Sequence, residues 1–171
     1  MDKIGRIFVT GIYGVGKSAL CRYLEERYEI EYLVASQLIY SYLQKQPPLD
    51  KRISGIEQNQ YVLVKALKEH PVGSSNQVLE GHSCLLNQRE YIPETIFDEL
   101  CLSGILLLTR NILNIVETLQ NRDQIKYDAN VLERLQCAEI EYVKILSKKL
   151  DVPLIEIRSE NIEDVVKLQN T

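Results

Sequence analysis

The chain has 171 residues, a formal net charge of −4 and 45% hydrophobic residues. That length suits one domain with a sizeable core and is too short for two ordinary ones. The composition argues against an intrinsically disordered chain, a broad nucleic-acid surface or a basic membrane-facing surface, and no apolar run approaches the roughly 20 residues of a membrane span.

The first residues, Met1 to Arg6, lead directly into an apolar run, Ile7-Phe8-Val9. This leaves no room for a signal peptide, so a cytoplasmic location is expected. Arg6 to Thr10 reads as a strand. It delivers the chain to Gly11-Ile-Tyr13-Gly14-Val15-Gly16-Lys17-Ser18, which fits the phosphate-binding pattern Gly-x-x-x-x-Gly-Lys-Ser/Thr. The pattern has a mechanism. Glycines permit backbone angles that turn successive N–H groups into one concavity. A helix opening near Lys17, with Ala19 in its first turn, adds its positive end. Lys17 offers a point charge for β- and γ-phosphates, and Ser18 a hydroxyl for Mg²⁺. A nucleoside triphosphate, expected to be ATP, is therefore the starting ligand.

Helix one is expected to run to about Tyr28, and a short strand covers Ile30 to Val34. Ser36 reads as the N-cap of a helix carrying Leu38, Ile39, Tyr42 and Leu43, which Pro47-Pro48 ends. A second helical segment spans about Gly55 to Glu69, with Ile56, Tyr61, Val62, Val64, Ala66 and Leu67 as its apolar positions. After a turn-rich break at residues 70–75, Gln77 to Glu80 reads as the third strand. Pro93 opens a short helix, Ser103 to Thr109 is the clearest buried strand, and Ile112 to Leu119 is helical. The polar stretch from Asn121 to Asp128 interrupts the pattern. A long helix follows over Ala129 to Leu150, with Val131, Leu135, Ile140, Val143 and Leu146 as core candidates. Pro153 to Ile157 is a fifth strand, and Ile162 to Leu168 a closing helix.

Strands alternating with helices imply a mostly parallel sheet covered on both faces, with ligands at the carboxyl ends of its strands. There is no internal repeat and no linker, so residues 1–171 are expected to form one domain. Cys21, Cys84, Cys101 and Cys137 form no Cys-x-x-Cys pair and have no histidine at metal-ligand spacing, which reads as four reduced, mostly buried thiols rather than a zinc site. Glu80, at the end of the third strand, can hold Mg²⁺ or orient a nucleophile. His82, taken alone, reads as a hydrogen-bonded structural residue.

Several segments in order carry a family resemblance: Val9 to Ser18, Ala35-Ser36, Asp50-Lys51-Arg52, Val78 to Ser83, Ile105 to Thr109 and Asn121-Arg122-Asp123 before a long helix. Together they resemble the adenylate-kinase-like branch of phosphate-loop (P-loop) nucleoside and nucleotide kinases, above all the small archaeal type and related predicted kinases. The resemblance implies an α/β, three-layer fold with a five-stranded parallel sheet ordered 2-3-1-4-5. It implies an acceptor side at about residues 36–70, with Ser36, Arg52 and His82 toward the acceptor, and a lid at about 121–128. It also implies that Lys17, Glu80 and Arg122 serve phosphoryl transfer, with Ser18 and Glu80 on the metal.

Departures from that pattern are specific. Thr118 stands where a first lid arginine often lies, Leu38-Ile39-Tyr40 carries no arginine, and the long helix reads Glu139-Ile140-Glu141 beyond Arg134. A nucleoside monophosphate would meet few cations, so either the acceptor is less charged or transfer is weak or absent. Two functions stay open. One is an ATP-dependent kinase for a nucleotide or other small acceptor. The other is an ATP-binding switch or slow ATPase acting through a protein partner. No Asn/Thr-Lys-x-Asp segment is present to read guanine.

Overall fold

The computed structural model describes residues 5–45, 56–71, 73–74, 76–85 and 90–160. Arg52 and the expected closing helix at 162–168 lie outside the described residues. The main sheet has five parallel strands: β1 (Gly5–Thr10), β2 (Glu31–Val34), β3 (Asn76–Glu80), β6 (Leu102–Thr109) and β7 (Leu154–Arg158). Their order is β2-β3-β1-β6-β7, which is 2-3-1-4-5 counted along this sheet. Between β3 and β6 lie β4 (Cys84–Leu85) and β5 (Glu90–Tyr91), a small antiparallel pair with no counterpart in the sequence reading. Two-residue strands carry too little alternation to be read from pattern alone.

The strands alternate between two cores, as a two-residue period requires. Phe8, Leu79 and Leu107 enter one core, while Val9, Val78 and Leu108 enter the other. The first core is closed by α3 (Ile56–Glu69), α4 (Glu94–Glu99) and the second half of α6 (Ala129–Leu150). The other is closed by α1 (Lys17–Arg27) and α5 (Ile112–Asp123). Phe8 meets Phe97 edge to face, with ring centroids 5.4 Å apart.

Several expectations are corrected. α2 (Ala35–Lys45) begins directly after β2 with no intervening turn, so Ser36 sits in its first turn and is not the N-cap. The register pairing Val34 with Glu80 keeps the chain extended up to that point. The helix expected to stop at Leu119 runs to Asp123, because Leu119 docks into the core and Gln124 closes the helix in a left-handed conformation. Tyr61 and Val131 are exposed; Leu63 and Leu132 hold the core positions on their helices. Of the cysteines, Cys21 and Cys84 are buried but Cys101 and Cys137 are exposed.

The inward stripe of α6 reads Leu132, Leu135, Glu139, Val143 and Leu146, so one carboxylate interrupts an apolar face. Glu139 is 1% exposed. It accepts hydrogen bonds from the Thr10 hydroxyl, from the Ser83 N–H at 3.4 Å and from the Cys84 N–H at 2.9 Å. One side chain thus ties the end of β1, the segment leaving β3 and α6 together. Its removal would orphan two buried N–H groups. Glu139→Ala is expected to destabilise the protein by about 3 kcal/mol, read as a lowered urea midpoint at unchanged slope.

Candidate functional site

The loop between β1 and α1 begins at the sheet's carboxyl edge. Gly11 passes so close to β6 that an added Cβ would lie 2.5 Å from the Leu108 carbonyl oxygen. Gly16, the N-cap of α1, has φ +97°, a left-handed conformation that glycine adopts without steric cost. Ile12 and Val15 anchor the loop in the core beside Leu20 and Ile115. Tyr13, Gly14 and Ser18 are half-buried, and Ala19 is exposed on the first turn of α1.

Lys17 is 6% exposed. Its ammonium donates to the carbonyl oxygens of Gly11 at 2.8 Å and Ile12 at 3.1 Å. Burial pushes its pKa down to about 8, while the negative charges of Glu80 and Glu139 pull the other way. No ion pair offsets this charge among the described residues. A buried, positively charged side chain held by neutral carbonyls, beside a glycine turn and a helix N-terminus, fits an anion.

Ser18 donates its hydroxyl to Glu80, whose two carboxylate oxygens lie 2.9 and 3.0 Å away. Tyr32, on β2, donates to the same carboxylate. Burial and that bond raise the Tyr32 phenol well above its ordinary value, so it stays a donor. Among the described residues no three His, Cys, Asp or Glu side chains cluster as a metal site. The Ser18–Glu80 pair suits Mg²⁺ instead, which binds through few protein oxygens and completes its shell with phosphate and water.

His82 follows β3 and stacks on Tyr13, with ring centroids 4.3 Å apart. Burial, then the nearby Lys17 charge, push its pKa down to about 3, against a backbone hydrogen bond with Gly11. The ring is neutral at physiological pH, and its buried Nδ1 has no hydrogen-bond partner among the described residues. Glu80, Gly81, His82, Tyr13 and Ser36 line one end of a cavity of about 310 Å³. Its remaining walls come from Phe8 of β1, Val34 of β2, helices α2, α3 and α4, Ile92 and Leu100.

The structure brings Tyr13, Lys17, Ser18, Glu80 and His82 together and puts Ser36 on the cavity wall. Arg122 is placed differently from expectation, on the last turn of α5 rather than in a loop, so only residues 124–128 separate α5 from α6. It is 57% exposed in its side chain and pairs with Asp123 through contacts of 2.5 and 2.7 Å. Asp123, which also accepts from Tyr127 at 2.6 Å, is held down at about 2 by these bonds. The Arg122 charge still reaches the phosphate loop: burial raises the Tyr13 phenol and Arg122 opposes that rise, while at Lys17 it adds slightly to the fall that burial causes.

Three residues escaped the sequence reading. Glu139 was legible as a charged residue on the apolar stripe of α6. Arg110 directly follows β6, at a strand end of the kind that builds ligand sites. Its guanidinium donates to the Gly14 carbonyl at 3.2 Å and to Thr118 Oγ1 at 3.0 Å. The loop therefore receives an arginine from this strand end, held by the very threonine at the expected lid position. Tyr32 gave no signal, since its role depends on the pairing of β2 with β3.

An AAA-domain family model matches residues 10–136, so the chain belongs to that family. With its parallel sheet and phosphate loop, it is a P-loop kinase-like domain. No curated protein matches the sequence. Among solved structures, a gluconokinase from Sinorhizobium meliloti 1021 aligns with TM-score 0.53 and 14% identity, over 93% of this chain and 85% of its own. A sugar kinase from Janibacter sp. HTCC2649 aligns with TM-score 0.53 and 15% identity, over 91% and 86%. The Thermus thermophilus protein TT1252 aligns with TM-score 0.51 and 16% identity, over 99% of both chains. These likenesses show the fold. Among the described residues no helix is long and apolar enough to cross a membrane.

The buried ammonium generates a stability prediction. Because the folded state disfavours charged Lys17, it binds fewer protons than the unfolded chain between pH about 8 and 10.5. The penalty is full below that window and fades as pH rises through it. Lys17→Met should therefore unfold at a higher urea concentration than the native protein at pH 7, and the gap should narrow as pH rises toward 10.

Proposed function

We propose that this protein is an ATP-dependent small-molecule kinase. The observation that carries the reading is the bond from Ser18 to Glu80, which joins the phosphate loop to a cavity lined by the same Glu80. One carboxylate thus faces the expected triphosphate and the expected acceptor. Lys17 and the loop N–H groups would hold the triphosphate, and Ser18 with Glu80 would hold Mg²⁺, which when bound neutralises charge on the transferring phosphoryl group. Arg110 fixes the loop backbone through Gly14. Arg122 would release Asp123 and turn to the phosphates. The kinase activities named for the Sinorhizobium and Janibacter proteins support this reading, as does the resemblance to small adenylate kinases. A nucleoside monophosphate, bound partly through Arg52, is the acceptor that resemblance suggests.

A second reading, a switch or slow ATPase acting through a protein partner, is favoured by the Arg122–Asp123 pair, which keeps the one expected lid arginine occupied.

The deciding experiment supplies Mg-ATP with a panel of acceptors and detects the phosphorylated acceptor by mass spectrometry. Lys17→Ala should abolish ATP binding measured by calorimetry. Glu80→Gln should lower turnover by about a hundredfold with little change in ATP affinity. Arg122→Ala should lower transfer more than binding. Slow hydrolysis indifferent to every acceptor would instead favour the switch.

A further inference from the structure

The cavity beside Glu80 has a chemical character that narrows its ligand. Nine of its lining residues are apolar aliphatic or phenylalanine side chains, among them Phe8, Leu63, Ile96 and Phe97. No lysine or arginine lines it among the described residues. Its polar groups are the hydroxyls of Tyr13 and Ser36 and the four side chains that follow. Asn59 and Gln60 of α3 offer neutral amides, while Glu80 and His82 stand at the strand end. Gly81 fits beneath the ring of Phe8, where an added Cβ would lie 2.7 Å from Cε2. The absence of that Cβ lets the phenyl ring form part of the wall.

An anionic group inside this cavity would lose its water and meet no cation among the described lining residues, while Glu80 would repel it. An apolar body would instead be favoured by burial, and a hydroxyl near Glu80 would find an acceptor. A volume of about 310 Å³ lies at the small end of ordinary ligand sites.

We infer that the cavity takes an uncharged hydroxyl compound with an apolar body, its hydroxyl at the Glu80 and His82 end. As an account of the acceptor, this rests on the kinase reading. In the transfer, the acceptor oxygen would form a bond to the γ-phosphorus of ATP. The bond from that phosphorus to the β–γ bridging oxygen would break, and ADP would leave with the electron pair. The hydroxyl proton would pass to the Glu80 carboxylate. Asn59 and Gln60 would hold whatever polar atoms the body carries and so set specificity.

The test uses the full-length protein and two matched probe pairs that differ in charge: 2-phenylethanol with 4-(2-hydroxyethyl)benzoate, and adenosine with AMP. Binding is followed by NMR shifts of Leu63 and His82, and transfer by mass spectrometry of the phosphorylated probe in Mg-ATP. The neutral member of each pair is expected to bind about ten-fold or more tighter than the anion. Asn59→Arg, which places a cation on the wall, should erase or reverse that preference without loss of fold by circular dichroism. Equal or tighter binding of the anion in either pair by the native protein would overturn the inference, as would absence of Leu63 and His82 shifts with both neutral probes. Transfer to AMP in preference to adenosine would overturn it while leaving the kinase reading standing. Neutral binding without transfer to any probe would uphold the cavity's ligand class and leave the kinase reading to the wider acceptor panel.

Discussion

The site depends on holding three chain segments in one register, and the buried carboxylate of Glu139 supplies the link. A phosphate loop works only if the strand before it and the strand end beside it keep their spacing. Backbone pairing fixes β1 against β3 along their length, but not beyond the last paired residues. There the chain turns away on both strands, and its N–H groups need acceptors. Glu139 reaches in from α6 and accepts from Ser83 and Cys84 on one side and from Thr10 on the other. A carboxylate suits this place because it offers several lone pairs and no donor. An aliphatic residue would continue the apolar stripe of the helix but leave the chain ends unpaired.

The same logic of unequal partners runs through the loop. Lys17 keeps its charge in a buried setting by donating to carbonyls, not by pairing with a carboxylate. Carbonyl dipoles hold the ammonium in place without cancelling its charge, so the charge remains available to an anion. Glu80, by contrast, is tied to hydroxyls from Ser18 and Tyr32, which hold the carboxylate without neutralising it. The site therefore sets a positive and a negative group on adjacent elements, each supported by neutral groups. Groups held in place in this way keep their charges available to a ligand without reorganisation.

Much of this was legible in the sequence, and the rest was hidden for identifiable reasons. The phosphate loop, all five strands of the main sheet and the long helix are local patterns, and the strand order follows from the family resemblance. The place of Glu80, at a strand end beside the phosphate loop, was readable from the order of the elements, while its bond to Ser18 was not. The end of α5 was misread because its last turn is polar and exposed while Leu119 still anchors it. Ser36 was misread because a helix that opens straight from a strand has no separate capping residue. Tyr32 and Arg110 act through partners 48 and 96 residues away, and no local pattern records such distances. The apolar character of the cavity also escaped, since its walls come from five separated stretches of chain.

Helix α6 carries one more consequence. Glu139 and Tyr142 are three residues apart, so they project from neighbouring points on one helix. The first grips the base of the phosphate loop. The second donates its hydroxyl to the Ile92 carbonyl and stacks on Tyr91, with ring centroids 4.6 Å apart, behind the far wall of the cavity. The floor of one compartment and the back wall of the other are therefore bolted to a single rod of 22 residues. One helix thus sets the position of both supports at once, and a substitution that displaced it would be felt in the phosphate loop and behind Ile92 together.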